Sequence, residues 1–136
     1  MPRMAPPSID TAALLSRLSP LTPAAVYLFG SAASNRLRPE SDIDLAVIPA
    51  GVCDPFTVFE IAQQLAGDLG CEVDLIDLTR ASAVMRAMVV QTGRVLHVGD
   101  LRRQQEFEMY ALSDYAKANE ERREVLEAYG KGLHAG

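Results

Sequence analysis

The chain has 136 residues, of which 49% are hydrophobic and 23% charged, the balance of an ordinary soluble globular protein. This length supports one domain with a hydrophobic core and excludes two independent domains, so residues 1–136 are predicted to form a single domain. The net charge of −5 gives no overall positive field, which argues against bulk binding of nucleic acid.

The sequence also predicts where the protein resides. No apolar run approaches the ~18 residues of a membrane span, and the first ten residues, MPRMAPPSID, lack the apolar core of a signal peptide. We therefore expect a cytoplasmic protein that does not enter a membrane, with residues 1–7 as a loose tail. Cys53 and Cys71 form no C-x-x-C motif and have no histidine at metal spacing, so both are expected to be reduced, buried and apolar in character.

The first half of the chain predicts alternating helices and strands. Ser8 or Asp10 caps a short first helix that Pro20 ends, and compact apolar runs at 24–30 and 42–48 are typical of buried strands. Asp54 and Gly70 delimit a second helix over residues 54–69 as its N-cap and C-cap. The predicted apolar face of this helix consists of Phe56, Phe59, Ala62, Ala66 and Leu69.

The second half of the chain also predicts strands that alternate with helices. Residues 71–78 read as a strand, Thr79 is predicted to cap a helix to about Gln91, and a last strand covers 94–98. Asp100 then caps a long helical region, residues 100–130, which ends at Gly130 and is a candidate partner surface. Four strands interleaved with helices predict an α/β domain.

Two aspartates at the start of the second strand carry the main chemical signal. Asp42 and Asp44 are two residues apart, so on a strand both side chains project from one face. Two negative charges held so close are costly unless a cation lies between them. Carboxylate oxygens without histidine or cysteine favour Mg²⁺ or Mn²⁺, and Asp74 on the next strand is a candidate third ligand. Three carboxylates can hold two Mg²⁺ ions about 3.5 to 4 Å apart, as in phosphoryl and nucleotidyl transfer.

A second signal precedes the aspartates at the end of the first strand. Gly30 and Ser31 are followed by small residues, which allows backbone N–H groups to approach phosphate oxygens while Ser31 adds a hydroxyl. Each feature alone has an ordinary explanation: a Gly-Ser turn, an exposed edge strand or a fragment of a Ca²⁺-binding loop. The combination of Gly30-Ser31, ten residues, Asp42-x-Asp44 and a third carboxylate is far harder to obtain by accident.

These residues resemble the signature of the minimal nucleotidyltransferase family in the DNA polymerase β-like superfamily: Gly-Ser, ten residues, Asp-x-Asp. The resemblance implies an α+β fold with a small mixed sheet of about four strands flanked by helices. It also implies that Gly30 and Ser31 contact the nucleotide phosphates while Asp42, Asp44 and Asp74 bind Mg²⁺. Chains of this size resemble the antitoxins of HEPN/MNT toxin–antitoxin pairs, in which AMP passes from ATP to a tyrosine hydroxyl of a HEPN ribonuclease.

The resulting hypothesis is an antitoxin adenylyltransferase that uses two Mg²⁺ ions and forms a hetero-oligomer with its toxin. Asp74 would orient or deprotonate the attacking hydroxyl. Transfer to a small molecule such as an aminoglycoside and a binding-only antitoxin with a degenerate site are the alternatives. Family members often carry arginines soon after Gly-Ser; here only Arg36 and Arg38 are available for phosphate, and the sequence leaves their role open. It also leaves open the acceptor residue, the number of AMP units, the nucleotide preference and the stoichiometry.

Overall fold

The structure is a computed structural model that describes residues 10–30 and 43–134, and side chains as far as residue 130. Within these ranges, four strands form one mixed sheet in the order β3-β2-β1-β4. The strands are β1 (Ala25–Phe29), β2 (Ile43–Ile48), β3 (Val73–Asp77) and β4 (Arg94–Val98). β1 is antiparallel to both β2 and β4, whereas β2 and β3 are parallel. The expected mixed sheet of about four strands is confirmed.

In the described residues, four α-helices accompany the sheet. They are α1 (Thr11–Leu18), α2 (Pro55–Leu69), α3 (Ala83–Thr92) and α4 (Leu101–His134). Asp10 caps α1 through the amide of Ala13, and Asp54 caps α2 through the amide of Phe56. Gly70 ends α2 in the left-handed conformation with φ of 70°, so the predicted bounds of α2 are confirmed.

Two hydrophobic cores lie on opposite faces of the sheet. Side chains alternate between them along each strand, so that Val26 and Leu28 join one core while Tyr27 and Phe29 join the other. The first core contains Leu14 and Leu18 of α1 and Leu65 of α2. The second contains Val89 of α3, with Phe107 of α4 packed against it. The sheet is therefore covered by α1 and α2 on one face and by α3 and α4 on the other.

Several predicted details are wrong. Thr79 does not cap a helix: it lies in a 3₁₀ turn, Leu78–Arg80, and Ser82 caps α3 through the amide of Met85. The third strand covers only Val73–Asp77, and α4 continues through Gly130 to His134. A glycine within a helix costs only about 1 kcal/mol, which the flanking helical residues offset, so Gly130 does not end α4.

The apolar face predicted for α2 is also wrong in part. Phe56 and Phe59 are 64% and 58% exposed, and the residues that α2 buries are Val58, Ile61, Ala62 and Leu65. Phe56 and Phe59 lie on a second apolar stripe, next to the one that meets the sheet. Cys53 and Cys71 form no disulfide bond, as expected, but both are only half-buried. In the described part of the chain, no helix combines the length and the hydropathy needed to cross a membrane.

Candidate active site

The candidate site is built at the end of β1, where the chain turns at Gly30. Gly30 has φ of 71°, a left-handed conformation that L side chains rarely adopt. A Cβ atom at this position would collide with the Oδ2 atom of Asp44. Gly30 is therefore required both by its backbone conformation and by the close approach of the Asp44 carboxylate.

Asp44 and Asp74 are neighbours across the sheet. They are register partners in the parallel pair of β2 and β3, and Asp44 is also the partner of Phe29 on β1. The residues on either side of Asp44, Ile43 and Leu45, belong to the core under α1 and α2, so strand alternation directs Asp44 to the other face. Asp74 likewise lies between Val73 and Leu75, which pack in the same core, so its side chain also projects to the other face. The two carboxylates thus share the face of α3 and α4.

The donor set fits a divalent cation. Asp44 is half-buried and Asp74 is exposed at the edge strand, so both carboxylates lie at a boundary between core and solvent. Mg²⁺ is commonly held by one or two protein carboxylates together with substrate phosphates and water. Two adjacent carboxylates on one face, with the Gly30 backbone beside them, match that requirement in ligand type.

The remaining predicted site residues lie outside the described ranges. Ser31, Asp42, Arg36 and Arg38 all fall between Gly30 and Ile43, where the structure is not described. Within residues 10–30 and 43–134, no group of three or more histidine, cysteine, aspartate or glutamate side chains is arranged to hold a metal ion. The structure therefore brings together Gly30, Asp44 and Asp74.

Asp77 takes no part in this arrangement. It lies three residues after Asp74, is buried, and caps the 3₁₀ turn by accepting hydrogen bonds from the amide and hydroxyl of Thr79. Cys53 donates its thiol hydrogen to the other oxygen of Asp77 at 3.1 Å. Burial and the nearby Asp77 raise the pKa of the Cys53 thiol to about 11. At neutral pH this thiol stays protonated and is a poor nucleophile.

Tyr27 is a structural residue next to the site that the sequence analysis did not single out. Its side chain is buried, and its hydroxyl donates to Glu108 at 2.5 Å and accepts from Gln104 at 3.3 Å. These bonds join the middle of β1 to α4, and Phe29 and Gly30 follow two and three residues later. The available signal was a hydroxyl-bearing aromatic residue within an otherwise apolar strand, because a buried tyrosine needs a hydrogen-bond partner.

A cleft opens beside Asp74 at the edge of the sheet. It has a volume of about 370 Å³ and is lined by Gln63 and Ala66 of α2 together with Glu72, Val73 and Asp74. β3 is an edge strand, so the cleft is reached from the side of the sheet rather than through either helical layer. One wall of the cleft is thus the flank of α2, and the cleft reaches the edge residue Asp74, whose side chain projects toward the face of α3 and α4.

Comparison with known proteins bears on what this arrangement does. The family model described as Polymerase beta, Nucleotidyltransferase matches residues 15–101. The protein adenylyltransferase MntA of Shewanella oneidensis is 36% identical over 102 residues, which are 75% of this chain and 73% of that protein.

Solved structures match over most of the chain. A toxin–antitoxin crystal structure with AMP-PNP matches with a TM-score of 0.79 and 31% identity, covering 89% of this chain and 98% of that chain. A chain from the complex of a tri-AMPylated Shewanella oneidensis HEPN toxin with an MNT antitoxin gives a TM-score of 0.71 and 30% identity, over 88% of this chain and 94% of that one.

Proposed function

Because this chain belongs to the polymerase beta nucleotidyltransferase family, we propose that it is an antitoxin that transfers AMP from ATP to a tyrosine hydroxyl of a HEPN ribonuclease toxin. The observation that carries the proposal is the pairing of Asp44 with Asp74 beside Gly30, in a chain that resembles the protein adenylyltransferase MntA along most of its length. The similar toxin–antitoxin structures, one with AMP-PNP and one with a tri-AMPylated HEPN toxin, support ATP as donor and the toxin as acceptor.

The proposed reaction is an in-line displacement at the α-phosphorus of ATP. The tyrosine oxygen forms a bond to this phosphorus, the bond between the α-phosphorus and the bridging oxygen breaks, and pyrophosphate leaves. Asp74 orients the hydroxyl and accepts its proton, while Gly30 and Ser31 hold the phosphates. Positioning and electrostatic stabilisation supply most of the catalysis, so no covalent intermediate is needed.

In this proposal Asp42, Asp44 and Asp74 hold two Mg²⁺ ions. When bound, Mg²⁺ would offset the negative charge of the carboxylates and of the triphosphate. The carboxylate pair of Asp44 and Asp74 supports this assignment because its hard oxygen atoms are the ligand type that Mg²⁺ prefers.

The proposal includes a hetero-oligomer with the toxin. Within the described residues, helical layers cover both faces of the sheet, which supports an acceptor that is supplied by another protein. The acceptor is therefore a folded partner that supplies its own tyrosine. The exposed part of α4 within residues 100–130, where Val125, Leu126 and Tyr129 are all more than 60% exposed, is a candidate contact region for this partner.

The test follows AMP transfer directly. The purified chain is incubated with Mg²⁺, a purified HEPN partner and ATP labelled at the α-phosphate, and label is measured in the partner. We expect labelling by the wild type, a loss of more than about 100-fold in the Asp42→Ala, Asp44→Ala double variant, and full labelling by Asp68→Ala. Asp68 is a matched control because it is an exposed aspartate on the α1 side of α2.

A different result would contradict the proposal. Absence of label with the wild type, or equal labelling by the double variant, would exclude transfer at this site. A double variant that transfers no AMP and still fully neutralises the ribonuclease would instead identify a binding-only antitoxin.

A further inference from the structure

The outer surface of α2 exposes two large aromatic side chains. Phe56 and Phe59 are 64% and 58% exposed, although α2 already buries Val58, Ile61 and Leu65 against the sheet. Folding therefore gains little from either phenylalanine. Exposed aromatic residues that lie close together are typical of protein interfaces, where they supply much of the binding energy.

These two residues lie on a defined side of the helix. Asp68 marks one flank, where it accepts hydrogen bonds from Arg17 of α1 at 2.8 and 3.0 Å. Helical spacing places Phe59 about 180° from Asp68 and in one row with Gln63 and Ala66. The aromatic pair therefore lies on the flank of the β3 edge, not on the flank that α1 covers.

This row leads to the candidate active site. Gln63 and Ala66 line the cleft of about 370 Å³ that also contains Asp74. A protein bound to Phe56 and Phe59 would therefore lie along the same flank of α2 that forms one wall of the cleft. Asp74 lies on an edge strand, so an acceptor group can reach it along this edge of the sheet, beside the α2 flank.

The surface around the pair is acidic. Residues 54–79 contain six carboxylates and no lysine, arginine or histidine. Asp68 is paired with Arg17, and Asp77 is buried close to Arg80. Asp54 caps α2, and the exposed carboxylates Glu60, Glu72 and Asp74 lie beside the aromatic pair and the cleft. Arg80, which donates a hydrogen bond to the carbonyl of Cys53, is a cation near the start of α2. The surface thus combines an apolar centre with a negative rim, which is complementary to an apolar pocket surrounded by lysine or arginine.

We infer that Phe56 and Phe59, with Glu60 and Glu72 at their rim, form the docking surface for the acceptor protein of the AMP transfer. The inference rests on the proposed function, which makes the acceptor a ribonuclease. A ribonuclease has to attract the phosphates of RNA and so carries a basic surface around its active site. The α2 surface binds that basic face, covers it, and brings an acceptor hydroxyl to the cleft at Asp74.

The test measures binding without nucleotide, so that it is independent of transfer. The Kd between the purified chain and a purified HEPN partner is determined by calorimetry for the wild type, Phe56→Ser with Phe59→Ser, and Glu60→Lys with Glu72→Lys. We expect both double variants to weaken binding at least about tenfold. The matched control is Val95→Ser with Val98→Ser, which changes two exposed apolar residues of β4, at the edge of the sheet opposite β3. Its Kd should equal that of the wild type.

The outcomes separate this inference from the proposed function. Unchanged binding by both α2 variants, or equal weakening by the β4 control, would overturn the docking surface even if the wild type transfers AMP. Wild-type binding that depends on the α2 residues but produces no labelled partner would exclude AMP transfer and leave the surface in place. Unfolding curves identify variants that do not fold. The two α2 variants change different kinds of side chain, so if one variant does not fold, the other still tests the docking surface.

Discussion

Single side chains at the end of β1 determine the geometry of the candidate site. Gly30 has two roles at this position. Its positive φ turns the chain, and its lack of a Cβ atom leaves room for the carboxylate of Asp44. The Gly-Ser pair identified this position in the sequence, but the sequence does not reveal that Asp44 is what fills the space. That fact depends on the antiparallel register in which Phe29 faces Asp44.

Replacement of Gly30 should therefore affect the site more than the fold. In Gly30→Ala, the new Cβ would displace the Asp44 carboxylate, and the left-handed conformation itself would cost about 1 to 2 kcal/mol. We expect AMP transfer to fall by about 100-fold or more, measured by labelling of the partner. Gly67→Ala is the matched control: its Cβ would enter open space in α2, so it should stabilise the protein by about 0.4 to 1 kcal/mol. Equal activity of the two variants would contradict this account.

For helix α2, the sequence predicts the first and last residues correctly but predicts the wrong face as the buried one. Asp54, Pro55 and Gly70 determine its ends through local hydrogen bonding and backbone conformation, which the sequence contains. Its apolar residues form two adjacent stripes, and periodicity alone does not say which one meets the sheet. The packing of α1 and β3 against α2 buries the stripe with Val58, Ile61 and Leu65, and leaves Phe56 and Phe59 outside.

The two stripes should differ in their contribution to stability. Leu65 is 1% exposed, so Leu65→Ala leaves a cavity in the core and should lower the free energy of unfolding by about 2 to 5 kcal/mol. Phe59→Ala removes a larger side chain that is mostly in solvent, and should cost less than about 1 kcal/mol. Urea unfolding of both variants measures the difference. A similar loss in both would mean that Phe59 is buried in the folded protein.

At the scale of the whole molecule, α4 is attached to the sheet through Tyr27. The hydroxyl of Tyr27 bonds to Glu108 and Gln104, and Arg103 donates to the carbonyl of Pro49 after β2. Burial and the hydrogen bond to Glu108 raise the pKa of Tyr27 well above its ordinary value of 10.0. The folded state therefore holds a proton on Tyr27 that the unfolded state releases near pH 10.

This difference predicts how stability depends on pH. The contribution of Tyr27 is present in full below about pH 10 and is lost as the pH rises from there toward the higher pKa of the folded state, by about 1.4 kcal/mol per pH unit. Tyr27→Phe should lower the free energy of unfolding by about 1 to 2 kcal/mol at pH 7. The difference between wild type and variant should narrow above pH 10, which urea unfolding from pH 7 to 11 measures. A difference that stays constant to pH 11 would contradict the assignment.

The sequence by itself determined those features that depend on neighbouring residues. Helix caps, the Gly30 turn and the buried strands follow from local hydrogen bonding, backbone sterics and side-chain spacing, and the Gly-Ser and Asp-x-Asp signature indicated the family. Only the tertiary structure decided that Asp44 lies beside Asp74 in the sheet and that Tyr27 bonds to Glu108 of α4. It also decided that Phe59 is exposed to solvent. Strand register and the packing of helices on the sheet determine these features. Both bring together residues that are distant in the sequence, so no short segment encodes them.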